Sequence, residues 1–367
     1  MHDPILTTQY DTTTDFWKRN HLTGDWGGTR SKLEEKGLTF GFVYKGEFVG
    51  NTRGGLKKGA TYLENMDMMA KFETEKAGWW NGGTFFVCGL ANYSGNPSVH
   101  FIGDLQRVSN IEATKTIRLY ELWYEQSLFH DTFFALMGQH DLNSESEFDV
   151  TKYGRDFLNS SFGVQASISA NVPVSIFPAT TLAVRLKWKP NEHFYLMAAA
   201  YDGNPGTIEE NSTGTQWNLS SEEGAMTIYE TGILFGNHED SPTLPGSYKL
   251  GAWYHTAKFN DVTDTDASGN PVQHNGDYGG YFVADQMIYR KKGDQGLGVF
   301  FQIGAEPDDR NEVDFYVGGG VHYKGLIPTR NNDVVGLAVA HASISDKLRV
   351  GGRRDAAETT LEMTYRA

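Results

Sequence analysis

Charged and aromatic side chains alternate through the stretch Lys115–Gly163 in a spacing that suits a wet binding surface. Every second position of its first part holds such a group, in Glu121, Trp123 and Glu125, so a β-strand would present all three on one face. Carboxylates form strong hydrogen bonds with donors, and an indole ring covers apolar surface. The polar segment His140–Gly163 follows, and its length favours a loop that narrows a channel.

Period-two alternation of apolar and polar residues begins at Thr39 and continues to the end of the chain. Near its start, Phe40, Phe42 and Tyr44 alternate with residues that include Lys45. Repeated alternation of this kind predicts about fourteen β-strands. One face of most of these strands carries charges or amides, which a dry core would not hold. The pattern therefore favours an all-β fold, a transmembrane antiparallel β-barrel, over a large soluble all-β protein.

The composition agrees with a barrel in a membrane. The chain has 367 residues, of which 39% are hydrophobic, and its mean hydropathy is -0.46. No apolar run approaches the roughly 18 residues that a transmembrane helix needs, whereas a barrel alternates its faces and keeps a soluble-like mean hydropathy. Aromatic residues make up 13% of the chain, and girdles at the two membrane interfaces would use them.

Charge and cysteine content exclude several classes of partner. A net charge of -14 argues against nucleic acid, because binding to phosphates needs clustered Lys and Arg. The simpler interpretation of this acidity is solvated loops. The single cysteine, Cys88, excludes an intramolecular disulfide framework and a multi-cysteine metal site. The acidic stretch Asp261–Gly269 lacks the bidentate Glu of a Ca²⁺ loop. No metal or cofactor is expected.

The predicted connections nearly alternate in length, which is typical of outer-membrane barrels with short periplasmic turns and long outer loops. The short ones are Phe129–Asp131, Lys189–Glu192 and Lys291–Gln295, and the long ones are Asn92–Lys115, His140–Ala179, Asp202–Gly224 and Asn260–Asp277.

The sequence divides into an N-terminal region, residues 1–37, and a barrel, residues 38–367. Met1–Asn20 is polar and lacks periodicity, which indicates a loosely held arm. Thr29–Lys36 has the pattern of a short helix that Gly37 ends. Such a helix is too short to be stable alone, so we expect it to pack at one mouth of the barrel.

Five motifs, in their order along the chain, resemble those of the carbohydrate-selective porins of the OprB family. They are Leu22–Arg30, Tyr120–Gln126, Phe157–Gly163, Asp285–Tyr289 and Glu362–Arg366. The resemblance implies a sixteen-stranded outer-membrane barrel of Gram-negative bacteria through which glucose and other sugars diffuse. It implies monosaccharides or small oligosaccharides as solutes, and outer-membrane lipid and lipopolysaccharide as surroundings. A homotrimer is a candidate assembly.

The end of the chain departs from that family pattern. About fourteen strands are visible, and the chain ends at Tyr365–Ala367, where the family pattern continues with a further hairpin. A barrel must close, because unpaired backbone groups in lipid cost several kcal/mol each. We therefore expect the last hairpin to be missing from this chain, with a closed fourteen-stranded barrel as the alternative.

A constriction for neutral sugars needs many hydrogen-bond donors and acceptors, apolar ring faces and opposed charges that leave little net charge. The residues predicted for this constriction are Arg107, Glu112, Lys115, Glu121, Trp123, Glu125, Arg155, Asp156 and Asn159. Those predicted for the lumen wall nearby are Lys45, Glu47, Asp67, Lys71 and Arg185. The alternative for each of them is a wall residue that only keeps the lumen hydrated.

Arg118 is an exception to the expected pattern. Strict alternation places it with Tyr120 on the lipid face, where its charge would be costly unless it lies near the membrane edge.

Two other functions remain open alongside the selective porin. One is a general-diffusion porin without sugar selectivity. The other belongs to a different class, an outer-membrane hydrolase, because His341 and Ser343 would share a strand face as a base and a nucleophile do. No third group that would orient the base can be assigned, so enzymatic activity is not expected.

Overall fold

The computed structural model describes residue 19 and residues 21–144, 147–236, 241–350, 352 and 355–367. The N-terminal arm predicted for Met1–Asn20 lies, except for Arg19, outside these residues. The α-helices in the described part are α1 (Thr29–Glu35), α2 (Ala166–Ser169) and α3 (Asp346–Val350). The strands are β1 (Leu38–Asn51), β2 (Gly59–Glu73), β3 (Gly83–Ser94), β4 (Thr116–Leu128), β5 (Phe133–His140), β6 (Thr181–Asn191), β7 (Phe194–Asp202), β8 (Ala225–Phe235), β9 (Gly246–Thr265), β10 (Pro271–Lys292), β11 (Gln295–Ala305), β12 (Val313–Lys324), β13 (Val334–Ile344) and β14 (Ala357–Arg366).

All fourteen strands form one sheet in sequence order, and each is antiparallel to the next. The predicted all-β fold and strand number are confirmed. Among the described residues β1 and β14 do not pair, so the sheet is open along that line. The described helices include none that is long and apolar enough to cross a membrane.

The two faces of the sheet differ as the alternation predicts. On the outer face, apolar side chains such as Phe42, Met68 and Leu361 are exposed. On the inner face, charged side chains such as Asp67 and Arg185 are buried beneath loops. An apolar outer face and a polar interior are typical of a barrel that is surrounded by lipid.

The three longest connections, residues 95–115, 141–180 and 203–224, leave from the same end of the sheet, after β3, β5 and β7. The long loop predicted for Asn260–Asp277 is wrong, because β9 continues to Thr265 and β10 begins at Pro271, with these two residues paired. This extension of the hairpin carries polar residues on both faces. Such a strand has no apolar alternation by which a sequence could reveal it.

The segment before β1 packs at the end of the sheet that carries the short turns. Asp25 supports the first turn of α1 by accepting hydrogen bonds from the backbone N–H and the hydroxyl of Ser31, at 2.8 and 2.7 Å. The Arg30 guanidinium lies 4.5 Å from the ring centre of Trp26. That ring in turn lies 6.4 Å from the ring of Phe40 on the outer face of β1. These contacts supply the packing that so short a helix lacks on its own.

Strand β4 contains a β-bulge that strict alternation does not reveal. Leu119 and Glu121 pair with consecutive residues of β3, so Tyr120 between them is an extra residue. Arg118 pairs with the buried Leu90 of the inner face. The expectation that Arg118 and Tyr120 face lipid was therefore wrong, because one inserted residue reverses the faces of the residues on one side of it.

A reciprocal pair of substitutions on β2 tests the assignment of the two faces. Met68→Lys places a charge on the outer face and should destabilise the folded barrel by about 2–4 kcal/mol, the cost of a lysine near the membrane midplane. Lys71→Met removes a charge from the inner face and should cost much less. Urea unfolding in lipid vesicles measures both values, and equal losses would contradict the assignment.

Candidate functional site

Two long loops fill part of the inner side of the sheet and contact each other. We name residues 95–115 the β3–β4 loop and residues 141–180 the constriction loop. The backbone N–H of Asn110 donates to the carbonyl of Leu158 at 2.7 Å, and that of Ser160 donates to the carbonyl of Arg107 at 3.1 Å. These bonds join the two loops into one layer.

Carboxylates of β14 hold this layer against the wall. Glu358 accepts hydrogen bonds from the backbone N–H groups of Leu105 and Gln106, at 2.7 and 2.8 Å. Glu362 accepts from the N–H groups of Leu158 and Asn159, at 2.8 and 2.9 Å. In each case the two oxygens of one carboxylate accept hydrogen bonds from the backbone N–H groups of two consecutive residues. Because one carboxylate holds two backbone donors at once, each of these two residues acts as a clamp.

The middle of the constriction loop is held by carboxylates on the opposite part of the sheet. Glu230 of β8 accepts from the backbone N–H of Asp149 at 3.0 Å. Asp285 of β10 accepts from the Thr151 hydroxyl and the Tyr153 N–H, at 2.7 and 3.0 Å. The loop therefore crosses the inner side of the sheet from β5 to β14 with anchors along its length.

The root of the loop, where β5 ends, rests on the bulge of β4. The Tyr120 hydroxyl donates to the Asp141 carboxylate, and the Asp141 N–H donates to Glu121 at 3.1 Å. Burial raises the pKa of Asp141 above its ordinary value. The bulge is what brings Tyr120 and Glu121 to the same side of the strand, so one inserted residue supplies both contacts.

A buried arginine completes the root. Arg185 of β6 donates to Glu147 of the loop at 2.7 Å and to Glu125 of β4 at 2.8 Å. Burial acts to raise the pKa of Glu147, but the Arg185 guanidinium outweighs it and holds that pKa below its ordinary value. Farther along, burial raises the pKa of Asp149 to about 7, against hydrogen bonds from Gln165 that lower it.

A cavity of about 360 Å³ lies between this layer and the first strands. Lys45 of β1 and Asp67 of the neighbouring β2 form an ion pair along its wall at 3.2 Å, and Asp156 forms another with Arg366 at 2.7 Å. The lining includes five of the predicted residues, Lys45, Glu47, Asp67, Arg155 and Asp156. Cations and anions thus face the same small space.

Four aromatic residues of the cavity lining, Tyr120, Phe157, Phe177 and Tyr365, were not among the predicted site residues. Tyr120 was assigned to the wrong face because of the bulge. Phe157 and Phe177 lie in the constriction loop, which has no strand periodicity from which the direction of a side chain could be predicted. The motif Phe157–Gly163 was the available signal, but it did not indicate a contact with the cavity.

The remaining predicted residues lie away from this cavity, and their role in a constriction stays a prediction. Arg107 donates to the carbonyl of Glu112 at 3.0 Å, and the Glu112 carboxylate accepts from Ser98, so both support the β3–β4 loop from within. Asn159 joins the two loops through the carbonyl of Gln106 at 2.6 Å. Burial raises the pKa of Glu112.

Trp123, Lys71 and Lys115 occupy three different surroundings. The Trp123 ring stacks on Phe86 of β3 with the ring centres 4.9 Å apart. Lys71 lies 3.6 Å from Glu73 near the short-turn end of β2. Lys115 is exposed at the opposite end of the sheet. The structure therefore brings Lys45, Glu47 and Asp67 together with Arg155 and Asp156 of the constriction loop, and leaves these three outside the cavity lining.

Comparison with known proteins assigns the chain to a family. The family model of carbohydrate-selective porins, OprB family, matches residues 57–367. The chain belongs to this family. It is 30% identical over 347 residues to Porin B of Pseudomonas aeruginosa, covering 89% of this chain and 75% of that protein. A structure of Pseudomonas putida OprB at high pH superposes with a TM-score of 0.82 at 27% identity, over 94% of this chain and 88% of that one.

A second curated relative, the putative porin QuiX of Acinetobacter baylyi, is 25% identical over 373 residues, or 94% of this chain and 80% of its own. The resemblance seen in the sequence motifs is thus confirmed. The chain is a carbohydrate-selective porin, which is a channel and not an enzyme.

The hydrolase alternative is wrong for this porin. His341 and Ser343 do share a strand face, but it is the outer face of β13, beside the exposed Val339. The His341 ring pairs with the hydroxyl of Thr359 on β14 at 2.8 Å.

The clamp of Glu362 can be tested by a change that keeps its shape. Glu362→Gln leaves one acceptor oxygen for two N–H groups, and losing a hydrogen bond to a charged group costs about 1.5–3 kcal/mol. We expect a noisier open-channel current and a higher mean conductance in planar bilayers. Glu64→Gln is the control, because this outer-face carboxylate accepts from Tyr44 and holds no loop. Indistinguishable currents from both variants would contradict the clamp.

Proposed function

We propose that this porin lets glucose and other neutral carbohydrates diffuse passively through the outer membrane and selects them at the 360 Å³ cavity. The observation that carries the proposal is the lining of this cavity, which contains both paired cations and anions and aromatic rings. The family assignment supports a carbohydrate as the solute.

The charged groups of the cavity suit a solute that has many hydroxyls and no charge. Lys45 and Arg155 offer N–H donors, and Asp67 and Asp156 offer acceptors. A hydroxyl group can use both kinds, because it donates one hydrogen bond and accepts others. Since the cations stand beside anions, the site presents strong hydrogen-bonding groups with little net charge, so it does not concentrate ions of one sign.

The aromatic residues suit the other surface of a sugar. A pyranose ring presents C–H groups on its two faces, and an aromatic ring covers such apolar area without competing for the hydroxyls. Tyr120, Phe157 and Phe177 can offer this contact beside the charged pairs. A solute that met both kinds of group at once would cross the narrow region more readily than a charged one of the same size.

In the membrane, the end of the sheet with short turns would face the periplasm and the end with the three long loops would face the exterior. The apolar outer face would contact outer-membrane lipid, and the outer loops would contact lipopolysaccharide. A homotrimer stays a candidate assembly for this porin.

A general-diffusion pore is the second candidate function, favoured by the charged groups, which would hydrate any small solute.

Two substitutions of predicted residues test selection at the cavity. Arg155→Gln removes a charged donor from the lining, and the glucose concentration that blocks half of the ion current should rise about 10-fold or more, because hydrogen bonds to charged groups are worth about 1.5–3 kcal/mol. Lys115→Gln removes the same charge at an exposed position away from the cavity and should leave the block unchanged. Single-channel current with a panel of sugars measures both.

Liposome swelling separates the two candidate functions. A selective porin should admit glucose faster than amino acids of similar size. Equal rates for all of these solutes would contradict selection and leave a general pore.

A further inference from the structure

Next to the constriction loop, one strand of the barrel wall lacks a neighbouring strand along part of its length. Strand β5 pairs with β4 only as far as Leu122 and Gln139, and it then turns inward after His140. Strand β4 continues to Thr116, so Thr116–Glu121 have no strand neighbour on that side within the part of the chain that the structure describes. At about 3.4 Å per residue this edge is about 20 Å long. An open edge in lipid leaves backbone groups unpaired at a cost of several kcal/mol each.

A segment from elsewhere in the chain occupies this edge. The connection between β7 and β8, residues 203–224, bends back to β4, where the N–H of Leu119 donates to the carbonyl of Thr213 at 2.8 Å. The Thr116 hydroxyl donates to the carbonyl of Ser212 at 3.4 Å. We propose that residues 211–217, which we name the seal segment, replace the missing strand and close the wall beside the root of the constriction loop.

One glutamine links the seal segment to that root. The indole N–H of Trp217 donates to Gln139 Oε1 at 3.0 Å. The amide nitrogen of Gln139 donates to the carbonyl of Leu119 at 3.2 Å and to the hydroxyl of Thr180 at 3.0 Å. Thr180 in turn donates to the carbonyl of Tyr120 in the bulge. Two carbonyls of the β4 edge, those of Leu119 and Tyr120, thereby accept hydrogen bonds beside the place where the chain turns inward.

The close approach of the seal segment depends on a glycine. Gly214 has φ +67°, and a Cβ on it would lie 2.2 Å from the carbonyl oxygen of Leu119 and 2.9 Å from Nε of Arg118. Only glycine combines that backbone conformation with that contact. The segment thus covers Arg118, which is 3% exposed and whose guanidinium has no hydrogen-bond partner among the described residues. Without the cover, water would reach this charge through the wall.

The seal accounts for two properties of the loop that a surface connection would not need. Two of its carbonyls, those of Ser212 and Thr213, accept hydrogen bonds from a distant strand, while those of Asn211 and Gln216 serve its own turn. Its tryptophan is fixed at the outer face by a hydrogen bond, although the ring itself is 49% exposed. The segment would therefore act as a positioning element for the pore: it would make the narrow cavity the only path, by excluding a second path around the constriction loop.

Ion conductance and polymer exclusion test the seal in planar bilayers without any sugar. Gly214→Val should displace the segment, raise the conductance about twofold and admit larger neutral polyethylene glycols, because a lateral gap bypasses the constriction. Trp217→Phe removes only the indole donor and should give a smaller change in the same direction. The expected size limit of the wild-type pore is set by the narrow cavity alone.

Gly206→Val is the matched control. Gly206 lies in the same connection with φ +66°, but a Cβ on it would meet only Glu210, at 3.9 Å. This variant carries the same backbone strain without the contact to β4 and should keep the wild-type conductance and size limit. If Gly214→Val fails to insert, Trp217→Phe against Gly206→Val decides the question. Wild-type conductance and size limit in Trp217→Phe, and in any inserted Gly214→Val, would overturn the seal whether or not the porin selects sugars.

Discussion

The hydrogen bonds from loop backbone to inward carboxylates are the interaction on which the pore depends. A loop of some forty residues inside a barrel loses much conformational entropy when it is ordered, so it needs fixed partners along its length. Glu362, Glu230, Asp285 and Glu121 supply them from four different strands. Each is a carboxylate set on a rigid strand, which gives the loop a hydrogen-bond acceptor at a fixed position. The narrow cavity exists because the loop cannot move away from these groups.

These hydrogen bonds give the acidic residues a structural role that the composition alone does not indicate. The net charge of -14 suggested solvated loops, yet several of the carboxylates are buried on the inner face and bonded to backbone N–H groups. A buried charge is tolerated only when it is paired or hydrogen-bonded, and these meet that condition. The same residue type therefore occurs in two settings in this porin, supporting the loops from the wall and lining the cavity together with Lys45 and Arg155.

The path of the constriction loop removes strand pairing from part of the barrel wall. Turning β5 inward at His140 gives the loop its root, but it leaves one edge of β4 without a strand. The bulge at Tyr120 and the seal segment lie on either side of that same edge. Gln139 forms hydrogen bonds with both β4 and the seal segment. A displacement of the root of the constriction loop would therefore also displace the seal segment.

The sequence by itself determined the barrel. Lipid on one side of each strand and water on the other require apolar and polar residues to alternate with a period of two, and this alternation indicates β-strands. It also determined that Lys45, Glu47, Asp67 and Arg185 face inward, and its motifs determined the family. Only the tertiary structure decided the face of Arg118 and Tyr120, since a bulge shifts the period without any change in composition. It alone decided which loop residues meet the cavity and where the β7–β8 connection lies, because those positions depend on hydrogen bonds between residues some one hundred to two hundred and fifty positions apart.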